Sequence, residues 1–251
     1  MLRHSQPEAE TRCGGNESRV PQEGQGTDMA WGMHEPSGFG EFFPDGGYVG
    51  WKEALNDYYQ KEMSAAEKNA LGMEKRFRYS AFVSLIRDTL DPVKDALFPS
   101  EFCTVKSYKK LGSLITLNSR ILAVDAQFRA LIEELEPGIH QFWPIKISMP
   151  RNKVNPEQYY GLRIGQFRDT FNPDHSDSSC YNISGYETYR GIAPVKKVIT
   201  GLALSKDAIG GAHLWREKKL TQPDIFLSET LQARAMDAGL RLPKHFRMKE
   251  V

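Results

Sequence analysis

The sequence predicts an α+β fold: a mixed or antiparallel sheet with amphipathic helices, preceded by a helical segment and a disordered N-terminal tail. Three observations carry that prediction. Apolar residues recur at helical spacing through residues 51–98. From 104 onward, short β-branched or aromatic runs alternate with single helical stretches closed by Pro-Gly or Gly. Ten of the 21 glycines and four prolines crowd into residues 1–50. The expected ranges are therefore an irregular segment at 1–50, a helical segment at 51–103 and an α+β domain at 104–251.

Each element has its own signal. Residues 1–28 hold too little apolar surface to offset their ordering entropy and are expected to be disordered. Residues 29–50 carry Trp31, Phe39, Phe42, Phe43 and Tyr48 among glycines and read as an irregular strap against the body. Trp51, Leu55, Tyr58, Tyr59 and Met63 share one helix face; Tyr79, Phe82, Leu85, Ile86 and Leu90 share another, stopped at Asp91-Pro92. Ser113–Leu117 reads as a strand, after which Asn118 or Ser119 caps a helix. In that helix Ile121, Val124, Phe128, Leu131, Ile132 and Leu135 line the buried face, and Asp125, Gln127, Arg129, Glu133 and Glu134 the other, up to Pro137-Gly138. Ile139–Ile147, Tyr159–Ile164 and Val195–Leu204 read as strands, with a polar loop at 172–179. Near the end, Ala212–Arg216 and Asp224–Leu227 read as strands and Ser228 as a helix cap. Leu231, Ala235 and Ala238 form a buried stripe up to Gly239, and a last strand surrounds Phe246. Residues 113–147 and 224–249 share one grammar of strand, cap, helix, glycine and aromatic strand, which suggests a pseudo-repeat.

Composition narrows the class. At 251 residues, 40% hydrophobic and 26% charged, the chain has the make-up of a globular protein. Its longest uncharged apolar run, Leu111–Leu117, falls far short of the roughly 20 residues of a spanning helix. No apolar signal region opens the chain, so a cytoplasmic location is expected and no membrane partner. Cys13, Cys103 and Cys180 are odd in number and widely spaced, which fits reduced thiols rather than a disulfide framework or a metal pair. The net charge of +1 divides into −5 over residues 1–50 and +6 over the rest, without a Lys/Arg block that would suggest nucleic acid.

No catalytic constellation stands out. An enzyme would have to use His213, beside Trp215 and Arg216, or His175; neither has a base, nucleophile and orienter in sequence, and His213 is expected to anchor a turn. Asp174, His175, Asp177 and Cys180 include metal-ligand types, but at no zinc or EF-hand spacing, so neither a metal nor another cofactor is expected. Glu133, Glu134 and Glu136 form an acidic cluster at a helix C-terminus, where the dipole disfavours negative charge. Placed on the solvent side, these three are candidates for partner contact, together with Asp174, His175 and Asp177. Arg241, Lys244, His245, Arg247 and Lys249 alternate with apolar residues; a charged edge strand explains them more simply than a nucleic-acid module over 241–249. Gly201 and Gly210-Gly211 lack phosphate-loop spacing and are expected to serve turns.

The run Ala208-Ile-Gly-Gly-Ala-His-Leu-Trp-Arg216, then Asp224-Ile-Phe-Leu-Ser-Glu-Thr-Leu and Asp237-Ala-Gly239, resembles the signature of the eleventh immunity-protein family of bacterial polymorphic toxin systems. Leu117-Asn-Ser-Arg-Ile-Leu, Leu135-Glu-Pro-Gly138 and His140-Gln-Phe-Trp-Pro144 are similar to the family's first helix and following strand, so the resemblance covers about 104–251. It departs from the family where Leu240–His245 separate Gly239 from Phe246. The resemblance implies a cytoplasmic α+β protein that binds and neutralises a cognate protein toxin, nucleases being among the toxins concerned. It assigns no catalytic residue. Gly211, His213, Trp215, Arg216, Ser228 and Gly239 carry the signature and are expected to be structural.

Overall fold

The computed structural model describes residues 29–192 and 201–251. The predictions for 1–28 and for most of the Val195–Leu204 strand, and Cys13, lie outside the described residues.

In chain order, β1 (Ala30–Met33) and β2 (Gly46–Tyr48) lead into helices α1 (Trp51–Lys61), α2 (Ala65–Ala70) and α3 (Tyr79–Asp88). Next come β3 (Glu101–Thr104), β4 (Leu114–Thr116), β5 (Leu122–Asp125), α4 (Ala126–Leu135), β6 (Gln141–Met149), β7 (Lys153–Val154), β8 (Tyr159–Arg163) and β9 (Phe167–Arg168). A hairpin of β10 (Tyr181–Gly185) and β11 (Thr188–Gly191) follows. The chain closes with β12 (Ala203–Leu204), α5 (Lys206–Ile209), β13 (Leu214–Glu217), β14 (Ile225–Ser228), α6 (Glu229–Asp237), β15 (His245–Arg247) and β16 (Lys249–Glu250).

The pseudo-repeat is realised as two units of identical strand order. One runs β4-β5-β8-β6 and the other β13-β14-β1-β15, with neighbours antiparallel throughout both. In each, a hairpin's second strand feeds a helix that crosses to a strand two places away, and a strand from elsewhere fills the gap. That filler is β8 in the first unit and β1, from the opposite end of the chain, in the second. Leu114 pairs with Val124 as Leu214 pairs with Leu227, and Ile115 with Ala123 as Trp215 with Phe226. One face of each sheet closes on the other: Leu114, Leu122, Val124, Phe128 and Ile132 share a core with Leu214, Ile225, Leu227, Leu231 and Ala235, and α4 packs on α6. Because strand side chains alternate, the remaining residues face outward; Trp215 and Phe226 join a second core with Leu202, Leu204 and Met248, and Ile115 and Ala123 a third with Phe102 and Tyr159.

Two expectations need correction. The helix after β4 begins at Ala126, not at Asn118 or Ser119. Ser119 and Arg120 take left-handed φ of 60° and 59° and turn the chain back on itself, so 122–125 becomes a strand and Asp125 the cap. Asp125 Oδ1 accepts from the Phe128 N–H at 2.8 Å, as Ser228 Oγ accepts from the Leu231 N–H at 3.1 Å. Nor are residues 29–50 merely an irregular strap: Ala30–Met33 form an interior strand between β14 and β15, and Gly46–Tyr48 an edge strand beside β3.

The helical segment is anchored on the first sheet. Trp51, Leu55, Phe82 and Ile86 form a core with Trp143 of β6 and Ile121. Trp143 stacks on Phe98 at 4.1 Å and donates its Nε1–H to the Pro99 carbonyl at 3.0 Å. It lies over Gly161 of β8, where a Cβ would come within 2.0 Å of the ring.

Candidate functional site

Glu136 sits at the C-cap of α4, where Pro137 and Gly138, the latter at φ +71°, turn the chain sharply. The sequence placed Glu136 with Glu133 and Glu134 on the solvent side; the structure corrects this, for Glu136 is 8% exposed. The inward turn lets its carboxylate cross to the other unit and accept from the His213 N–H at 2.8 Å and the Leu214 N–H at 2.9 Å. It also accepts from Gln166 Nε2 at 2.5 Å and contacts His140 Nε2 at 2.7 Å. Since His140 Nδ1 accepts from the Gly165 N–H, the ring proton lies on Nε2 and points at Glu136. Burial by itself raises the Glu136 pKa, but the hydrogen bonds from His140, the His213 backbone and Gln166 outweigh it and hold the group below the usual carboxylate range. Glu133 and Glu134 do face solvent, paired with Arg129 at 2.9 Å and Arg234 at 2.6 Å. The acidic cluster therefore divides into one internal tie and two neutralised surface groups.

The signature residues surround that tie. Gly210 and Gly211 adopt φ of 57° and 78°, the left-handed backbone that turns α5 into β13. His213 Nδ1 lies 2.7 Å from Ser228 Oγ, and the Ser228 N–H donates to the His213 carbonyl at 2.9 Å. Trp215 is fully buried and stacked 5.6 Å from Phe226. Gly239, at φ +69°, ends α6, with the Leu240 N–H returning to the Ala235 carbonyl. The longer loop after Gly239 also finds its reason. Leu240 and Leu242 enter the shared core, and the Ser113 N–H donates to the Arg241 carbonyl, sealing the outer edge near β4.

A serine–histidine contact beside a recess of about 350 Å³ invites a nucleophile reading. Capping accounts for it more economically, because Asp125 does the same work at the matching position of the other unit without a histidine. Ser228→Ala is expected to lose about 1 kcal/mol of stability in urea unfolding, whereas Ser228→Asp should retain nearly all of it. Equal losses for both variants would contradict the capping role.

His175 and His213 are not brought together. In the loop, Asn172 Oδ1 accepts from the His175 N–H at 3.2 Å and Asp177 Oδ1 from the Ser179 N–H at 2.9 Å, giving two short 3-10 turns. Asp174, His175 and Asp177 are exposed, while Cys180 is buried. Among the described residues no group of three or more His, Cys, Asp or Glu side chains could hold a metal ion.

The sequence does not reveal a cleft of about 610 Å³ between the end of β1, the β10–β11 hairpin and Gln222–Asp224. Met33, Glu35, Asn182, Arg190, Gln222 and Asp224 are among its walls; neither predicted histidine is. On the hairpin, Ile183 is 76% and Tyr186 92% exposed. The signal available in sequence was the alternation Tyr181-Asn-Ile-Ser-Gly185 and Thr188-Tyr-Arg-Gly191 around a two-residue turn.

Two like units locked by a buried carboxylate, with Gly211, His213, Trp215, Ser228 and Gly239 placed at turns, a helix cap and a core, define an α+β scaffold that offers surface loops and a hairpin to solvent. The model of the Immunity protein family (Imm11) matches residues 52–248, and the chain belongs to that family. The match begins well before 104, so the helical segment is part of the family pattern and no addition to it. No curated protein matches the chain. Among the described residues, no helix is long and apolar enough to cross a membrane.

Proposed function

We propose that this chain, as an immunity protein, binds one cognate polymorphic toxin domain in the cytoplasm of the producing bacterium and blocks it by occlusion, making and breaking no bond. Family membership supports toxin immunity in general terms. The observation that carries the binding mode is the hairpin, where a tyrosine and an isoleucine stand almost free of the body. Two large side chains left in solvent on one ordered hairpin offer a surface for a partner, and tyrosine is among the usual energetic anchors. Glu133, Glu134, Asp174, His175 and Asp177 are exposed and are proposed as further contacts, while Glu136 acts through the fold. The helical segment, 51–103, is proposed as a buttress for the α+β domain, 104–251. A nuclease is the toxin activity to examine first.

Tyr186→Ala combined with Ile183→Ser is expected to weaken toxin binding by about 2 kcal/mol, roughly thirtyfold, with the melting temperature unchanged. Calorimetric titration against the cognate toxin domain measures it. Unchanged affinity would remove the hairpin from the interface. Co-expression tests the function itself: the chain should rescue cells from that toxin domain, and equal killing with and without it would refute the proposal.

A further inference from the structure

Four arginines that are distant in sequence meet at one small pit. Arg87 from α3, Arg120 from the β4–β5 turn, Arg163 at the end of β8 and Arg216 on β13 line a recess of about 10 Å³ with aliphatic neighbours such as Ile86 and Leu162, and no carboxylate lines it. The volume accommodates about one water-sized atom. Arg87 and Arg120 are the more exposed and stand toward solvent; Arg163 and Arg216 are 5% and 7% exposed.

The buried pair is short of acceptors. Arg163 Nη2 donates to the Thr89 and Asp91 carbonyls, but its Nε is buried without a hydrogen-bond partner among the described residues. Arg216 reaches Asp88 and Asp224 only at 3.9 and 4.0 Å, beyond hydrogen-bond length. The outer pair spends its carboxylates locally, Arg87 on Asp88 and Arg120 on Glu35. Burial presses both inner guanidinium groups below their usual range, the signature of positive charge without full compensation. Arg120 is held at the pit by a backbone with φ of 59°, a conformation that non-glycine residues seldom adopt.

We infer that this pit is an anion site for a single small anionic head, either a free halide or the tip of a carboxylate, gripped by Arg163 and Arg216 with Arg87 and Arg120 at its mouth. The neighbouring carboxylates Glu35, Asp88, Asp91 and Asp224 keep the region near neutrality overall, so selection rests on fit and on unfilled donors more than on net charge.

The test uses the purified full chain. Melting temperature is followed against sodium bromide and sodium formate, with sodium methanesulfonate, a bulkier monovalent salt, holding ionic strength constant; crystals grown in bromide give its anomalous signal. A saturable rise with bromide, with bromide density on Arg163 and Arg216, supports a halide site. A saturable rise with formate alone assigns the pit to carboxylates, and a rise with both supports the shared chemistry. Arg216→Gln should weaken the response about tenfold; Arg87→Gln, at the mouth and easier to fold, should weaken it several-fold. No saturable response to either anion, bromide density without saturation, or an unchanged response in a folded Arg87→Gln protein would overturn the inference.

Discussion

Replacing Glu136 with alanine is expected to cost about 3–5 kcal/mol of folding stability, the usual penalty for deleting one member of a buried charged network. Two backbone N–H groups, an amide and an imidazole converge on this carboxylate, and without it each is left in a space that water reaches poorly. The contacts join the end of α4 in one unit to the start of β13 in the other, so the damage should fall on the seam between the units. Hydrogen exchange should show protection lost first at His213 and Leu214.

The same group gives a pH dependence whose sign is fixed. Its folded pKa is depressed, so its contribution is complete above the unfolded carboxylate value of roughly 4.3. That contribution drains away as pH falls through the lower folded value. The stability gap between the natural chain and Glu136→Gln should therefore be widest near neutrality and narrow on acidification. Denaturant titrations at pH 7 and at progressively lower pH check this, and a gap that widens in acid would contradict the assignment.

Gly161→Ala is expected to destabilise by about 3 kcal/mol, at the upper end for overpacking. The new methyl would stand 2.0 Å from the Trp143 ring. That ring cannot retreat, because Phe98 is stacked on it and its N–H is bound to the Pro99 carbonyl. Trp143→Phe removes the clashing part of the indole, so the double variant should lose less than the sum of the two single losses. Strict additivity in denaturant titrations would mean that the tryptophan is not what excludes the methyl.

What the sequence revealed depended on how local each signal was. Helices α1 and α3 were legible because Trp51 and Leu55, or Phe82 and Ile86, repeat at helical spacing, and α6 because Ser228 and Gly239 bracket its stripe. The start of α4 is not legible in sequence, since Ile121 and Val124 suit a helix face and a strand equally; the left-handed turn at Ser119–Arg120 decides between them. Strand β1 was invisible, for Ala30–Met33 has no alternation of its own and takes its register from Ser228 and Arg247, about two hundred residues away. The duplication is legible in outline, although the first copy begins its helix only at Ala126. Glu136 looked like surface charge because its partners at 166, 213 and 214 lie far along the chain. The arginine pit had no sequence signature, since its four members are single residues on four different elements.

The most direct measurement titrates a purified cognate toxin domain with this protein while following toxin activity, then examines the toxin after the complex is dissociated. Occlusion predicts a linear fall to zero at one molecule of protein per molecule of toxin, with toxin of unaltered mass and full activity recovered afterwards. Inactivation by far less than one equivalent, or recovery of a cleaved or covalently changed toxin, would show that chemistry rather than binding confers the protection.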